Sequence, residues 1–171
     1  MMPVTVRSET EADYEAIWQV NELAFGRTAE AKLVTRLREQ GAVAISLVAE
    51  QDDTIVGHIL FSPVQIENPR YRGTAVALGP LAVTPPRQKQ GIGSALVKTG
   101  LHHCISQGFH TVVVLGHPTY YPRFGFQPAH QLGLHCEYNV PPEIFMALSL
   151  SPNPQTKISG LVRYHPAFQA T

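Results

Sequence analysis

Residues 78 to 101 constrain this chain more than any other stretch. The apolar run Leu78-Gly79-Pro80-Leu81-Ala82-Val83 halts at Pro85-Pro86. Gln88-Lys89-Gln90-Gly91-Ile92-Gly93-Ser94 then opens a segment in which Ile92, Leu96, Val97, Leu101, Cys104 and Ile105 recur at helical spacing. A strand must therefore feed a helix through a loop that is bare of side chains at Gly91 and Gly93. The first turn of a helix leaves its backbone N–H groups unpaired, with the positive end of the helix dipole behind them. Unshielded, that turn is a receptor for phosphate or pyrophosphate, and Ser94 adds a hydroxyl.

Two well-known phosphate loops do not fit. A Walker A loop requires Gly-Lys-Ser or Gly-Lys-Thr, and neither tripeptide occurs. The dinucleotide fingerprint requires a third Gly or Ala three residues after the second glycine, where this chain has Leu96. A third pattern, Gln/Arg-x-x-Gly-x-Gly/Ala after a strand ending Val-x-Pro, matches Gln88 to Gly93 behind Val83-Thr84-Pro85. Further on, the β-branched run Val112-Val113-Val114-Leu115-Gly116 leads into His117-Pro118-Thr119-Tyr120-Tyr121-Pro122-Arg123-Phe124-Gly125-Phe126, which contains Tyr-x-x-x-Gly-Phe after a buried-type strand. In these two motifs, and in their order, residues 3 to 150 resemble the GNAT superfamily of acyl-CoA N-acyltransferases, and within it a bacterial N-acetyltransferase branch.

The resemblance implies an α/β fold: a mixed, mostly antiparallel sheet of six or seven strands with the fourth and fifth splayed apart, flanked by about four helices. It implies acetyl-CoA as acyl donor, held by Leu81, Ala82 and Val83 along the pantetheine arm and by Gln88, Lys89, Gln90, Gly91, Ile92, Gly93 and Ser94 around the pyrophosphate. Tyr121 becomes the catalytic proton donor to the departing thiolate, with Tyr120 its rival by one position of register. A primary amine is the acceptor. Neither cysteine falls in a motif to carry an acyl group, so direct attack in a ternary complex is expected. The alternative is a non-catalytic acyl-CoA-binding sensor or assembly module.

The general base is unassigned by sequence. Some superfamily members carry a carboxylate on the fourth strand, and Ala77-Leu78-Gly79-Pro80-Leu81 has none. His117 has the right unperturbed chemistry, and Glu22 stands in an acceptor-side helix; neither has a second feature in its favour. Eight histidines invite a metal reading, but His102-His103 and His130 to Cys136 lack zinc spacing, so no metal is expected.

Local signals supply the rest. Pro3 to Glu9 reads as a strand, with Thr10 and Asp13 placed as a capping box for a helix over 11–24. A second helix spans Ala29 to Gln40 and closes at Gly41. Ala42 to Gln51 and Thr54 to Val64 form a hairpin. A fourth strand covers Thr74 to Val83, with a bulge or bend at Gly79-Pro80. Pro118 starts a short fourth helix, and Phe126–His130 and Ile144–Leu150 pair antiparallel. The domain is expected over 1–150, with 151–171 a linker and an extension whose segment Leu161 to Phe168 docks on it as an extra strand.

Thirteen basic and thirteen acidic side chains leave no net charge, so neither nucleic acid nor an anionic membrane is expected as partner. A cytoplasmic monomer or homodimer, with its two cysteines reduced, is the expected setting.

Overall fold

A computed structural model describes residues 3–71, 73–151 and 159–170. In chain order it contains β1 (Thr5–Ser8), a 3-10 turn (Glu11–Asp13), α1 (Tyr14–Phe25), α2 (Ala29–Glu39), β2 (Ile45–Gln51), β3 (Thr54–Glu67) and β4 (Ala75–Val83). There follow α3 (Ile92–Ser106), β5 (Thr111–Leu115), β6 (Gln127–Pro128), β7 (Leu134–Cys136), β8 (Phe145–Ser149) and β9 (Gly160–Arg163). The described residues thus hold three α-helices and nine strands, where the sequence predicts about four and six or seven. The expected fourth helix is a 3-10 turn over Tyr121–Phe124, with Pro122 in its first positions. Four residues that include a proline cannot propagate an α-helix.

The strand order is β1-β2-β3-β4-β5-β8-β6, with β9 pairing β3 and β7. All neighbours in the main path are antiparallel except β4 and β5, which run parallel. Local chemistry sets these elements. Asp13 accepts the Thr10 backbone N–H at 2.8 Å and a two-pronged Arg7 guanidinium at 2.8 and 3.0 Å, which fixes the entry to α1. The Arg7 hydrogen bonds hold the Asp13 carboxyl down at about 2. Between β2 and β3, Asp52 and Asp53 both take positive φ, 53° and 58°, the type I′ pattern whose twist suits a two-residue hairpin. The bend expected at Gly79-Pro80 is present: Ile59 faces Leu81 while Phe61 faces Leu78, a shift in the β3–β4 register.

Two features of this frame position a site. The β4–β5 ladder runs from Ala75↔Thr111 to Leu78↔Val114 and stops. Beyond it β4 continues to Val83, bonded to β3, while the Gly116 N–H turns away to the Ile144 carbonyl at 2.9 Å. A gap opens there between the two strands. The sheet also has two apolar faces. Val112, Val114, Met146, Leu96 and Tyr121 belong to the cluster around α3, and Val113, Phe145, Ala147 and Leu134 belong to a cluster on the opposite side. No helix among the described residues is long and apolar enough to cross a membrane. The sequence's linker segment falls largely on residues 152–158, outside the described residues.

Candidate active site

At the mouth of the gap lies a cleft of about 550 Å³, walled by Leu81 and Val83 of β4, the loop from Arg87 to Ser94, and Tyr120 with Arg123. Gly91 caps α3 with φ +86°, a conformation glycine adopts without cost and other residues rarely take. The first carbonyl of α3, that of Gly91, is claimed by the Ala95 N–H at 3.0 Å. The N–H groups of the turn before Ala95 have no intrahelical partner and face the cleft floor. The Gln88 side chain folds back onto the Val83 carbonyl at 2.9 Å and pins the loop to the strand.

Three cations line the cleft, Arg87, Lys89 and Arg123, and no carboxylate does. Arg87 is steadied by Gln51, whose side-chain oxygen accepts its guanidinium N–H at 2.6 Å. Arg123 lies over the Tyr120 ring, 4.6 Å from its centroid, and its Nε–H donates to the Tyr120 carbonyl at 3.0 Å. In a chain with no net charge, this is a concentrated positive field around unpaired N–H groups, suited to an anion carrying several charges.

Seven of the ten residues expected at the cofactor line this cleft: Leu81, Val83, Gln88, Lys89, Gly91, Gly93 and Ser94. The other three do not present their side chains there. Ala82 and Ile92 are buried, 1% and 3% exposed, and Gln90 reaches back to the Pro86 carbonyl at 3.2 Å. Alternation along β4 turns Ala82 to the face away from Leu81 and Val83, and the helical stripe takes Ile92 into the core.

The two tyrosines part company. Tyr120 borders the cleft, its hydroxyl 3.0 Å from where a Cβ on Gly93 would stand. Tyr121 lies deeper, 8% exposed, with its ring pressed against Gly116 so closely that a Cβ there would collide with it. Its edge packs on Tyr120 and Phe126 at 5.1 and 5.7 Å between centroids. Gly116 directly follows β5, so Tyr121 stands at the inner end of the gap. Burial raises its pKa, with the Tyr120 hydroxyl adding to the effect, and the phenol stays protonated at neutral pH. His117 and Glu22 are both exposed, and neither lines the cleft.

Residues 7–126 match the Acetyltransferase (GNAT) family. The chain belongs to that family. It is 39% identical over 159 residues to the uncharacterized N-acetyltransferase YjhQ of Escherichia coli K12, covering 90% of this chain and 87% of the relative. It is 35% identical over 164 residues to YhbS of the same strain, covering 95% and 97%. The crystal structure of E. coli YhbS in complex with CoA superposes with a TM-score of 0.92 at 34% identity, covering 99% of this chain and 93% of that one. A GNAT acetyltransferase from Brucella melitensis in complex with acetyl-CoA gives 0.80 at 35% identity, covering 98% and 99%.

Two cations of the cleft, Arg87 and Arg123, lie outside the residues expected at the cofactor, and sequence reasoning missed Arg123 altogether. Its signal was present: three positions after Tyr120 in a proline-started turn, its side chain comes back over the earlier ring. Among the described residues no group of three or more His, Cys, Asp or Glu is placed to hold a metal ion.

Proposed function

We propose that this GNAT protein transfers an acetyl group from acetyl-CoA to a primary amine by direct attack. The observation that carries this is the cleft itself: free helix N–H groups and three cations at the mouth of a gap between two parallel strands. The CoA and acetyl-CoA complexes of the relatives support the same ligand here. The pyrophosphate would meet Gly91 to Ser94, Lys89 and Arg123. The pantetheine amides would pair with the β5-facing edge of β4 from Leu81 to Val83, beyond the end of the β4–β5 ladder. The thioester then reaches the gap, where a β4 backbone N–H near Leu81 polarises its carbonyl.

The amine nitrogen attacks the carbonyl carbon, the C–N bond forms, and the C–S electron pair leaves on sulfur. Tyr121 gives its phenolic proton to that thiolate and is re-protonated from solvent, while the ammonium product loses its proton to water. Burial keeps this phenol protonated at neutral pH while making it a weaker acid, so the transfer depends on its being held against the sulfur. The cleft holds no carboxylate or imidazole to deprotonate the amine. That observation favours the second reading, a protein that binds acyl-CoA without turnover.

Thiol release from acetyl-CoA over a panel of amines separates the two readings. Tyr121→Phe should then lower kcat by about 10²–10⁴-fold, the range for a lost acid, with acetyl-CoA affinity unchanged. If Tyr120→Phe shows that loss instead, the donor is the residue at the mouth. Normal turnover in both variants removes a tyrosine from the mechanism.

A further inference from the structure

A second cavity, of about 360 Å³, lies on the opposite face of the sheet from α3. Its apolar wall is Leu134, Val140, Pro142 and Phe145. Phe145 pairs with Leu115, the last residue of β5, so this wall lies one strand spacing, about 4.8 Å, from the edge of the β4–β5 gap. Tyr121 reaches the gap from the α3 face, and the cavity approaches it from the other. Phe145 is thus the link between cavity and gap, and a nucleophile held in the cavity would approach a thioester from the face opposite Tyr121.

The lining also restricts what enters. His130 and His135 are its titratable rim, and no Asp, Glu, Lys or Arg lines it. Glu137, which acts on Cys136 and Tyr138, is already engaged by Arg163 and the Tyr164 N–H, so a polyamine or a basic peptide would find no free carboxylate for its further charges, and an acid would find no cation in the lining. The Tyr138 ring forms part of the wall, with its hydroxyl buried within reach of the Glu137 carboxylate. The volume sits at the small end of the roughly 300–1,000 Å³ typical of small-molecule sites.

We propose that this cavity is the acceptor pocket and takes a small monoamine on an apolar, aromatic-sized body, to the exclusion of polyamines and lysine-rich peptides. The assignment rests on the transferase reading above, and a thiol in the pocket allows the two to be tested apart. Cys136 lines the cavity and is half-buried, whereas Cys104 is fully buried, so iodoacetamide labelling of the native protein reports Cys136. Burial pushes that thiol's pKa up, which calls for mildly alkaline labelling.

With CoA present, saturating 2-phenylethylamine should slow Cys136 labelling at least fivefold, and spermidine should not. In turnover, 2-phenylethylamine should exceed spermidine and a lysine-containing peptide in kcat/KM. Val140→Trp, which fills the cavity, should raise the KM for the amine at least tenfold and leave that for acetyl-CoA within twofold. Preference for spermidine or the peptide, or thiol release without protection of Cys136, overturns the pocket and leaves the transferase reading intact. Protection of Cys136 with no thiol release from any amine overturns the transferase reading and leaves a monoamine site. The labelling arm uses the wild-type protein and does not depend on a variant folding.

Discussion

The two cavities on opposite faces of the sheet are built in opposite ways. The cleft on the α3 face is made by one continuous run, Leu81 to Ser94, closed by Tyr120 and Arg123. Its recognition chemistry is backbone N–H groups, a helix dipole and a few long cations. The cavity on the other face is assembled from 3-10 turns and short strands between His130 and Phe145, and its chemistry is that of its side chains. A site made of backbone is tied to a local pattern and tolerates change around it. A site made of side chains on irregular loops can be remodelled one residue at a time. One invariant donor served by the first and diverse acceptors served by the second is what such an arrangement permits.

The largest effect that can break this contrast is at Gly91. Gly91→Asp places a carboxylate in front of the first turn of α3, where no other heavy atom lies within 4 Å of the added Cβ. At φ +86° it costs about 1–2 kcal/mol of backbone strain, which should lower the melting temperature without abolishing the fold. Binding should not hold. Two like charges about 5 Å apart at an effective dielectric near 20 repel by about 3 kcal/mol, over a hundredfold in affinity. Calorimetric titration with CoA, beside a thermal melt, checks both halves. Wild-type affinity in this variant would mean the anion sits elsewhere and the backbone account of the cleft is wrong.

The same contrast explains what could be read in advance. The strand-loop-helix from Leu78 to Leu101 was legible because glycine spacing, apolar periodicity and helix-end electrostatics all act within a few residues. The type of the turn at Tyr121–Phe124 was less so. Pro118 as a start and Gly125 as a stop suggested a helix, but the turn begins only at Tyr121 and Gly125, at φ +98°, ends it after four residues, too few for an α-helix; Tyr120 borders the cleft and Tyr121 enters the core. Of the two short strands paired with each other, β9 begins the segment Leu161 to Phe168 expected to dock as a strand, whereas β7 was not legible. Leu134–Cys136 carries no alternation long enough to register, and its pairing with Gly160–Arg163 is a contact between distant segments.

His58 belongs to this illegible class and sharpens the point. In sequence it is one polar residue in an apolar strand. In the structure it is fully buried, with its Nδ1 3.2 Å from the Asn21 amide nitrogen and its Nε2 2.8 Å from the Ser46 hydroxyl. Asn21 Nδ2 can only donate, so Nδ1 accepts, Nε2 carries the proton and donates to Ser46, and Ser46 in turn donates to Glu9. Arg38 completes the chain by donating to Glu9 at 3.1 Å. Desolvation first, and the Arg38 charge second, pull the imidazole down to about 3. The unfolded chain takes up a proton below about 6.5 and the folded one does not until near 3. Stability should therefore be flat in this term above pH 6.5 and fall as pH drops below it, by about 1 kcal/mol between pH 6 and pH 5. Asp13, held at about 2, loses its contribution only at lower pH. Urea unfolding of the wild type and His58→Gln at both pH values measures the difference in slope. An equal slope in the two proteins would show that His58 titrates normally in the fold.

The smallest effect, and the one that divides charge from backbone within the cleft itself, is at Lys89. This residue lines the cleft and takes φ +62°, a left-handed conformation for a residue with a side chain. Such a conformation costs a non-glycine residue about 1–2 kcal/mol. Lys89→Ala removes the charge and keeps the strain, whereas Lys89→Gly removes both. If the ammonium meets a cofactor phosphate in an exposed setting, each variant should raise the KM for acetyl-CoA severalfold with kcat unchanged, the sign of lost uniform binding, and the gap from wild type should narrow in high salt. Only the glycine variant should melt at a higher temperature than the alanine one, because only it relieves the backbone. A KM rise confined to Lys89→Ala would place the role of Lys89 in loop geometry, and the cationic part of the anion site would then rest on Arg87 and Arg123. A fall in kcat in both variants would put Lys89 near the reacting thioester, on the inner side of the gap, where the present geometry has only Tyr121.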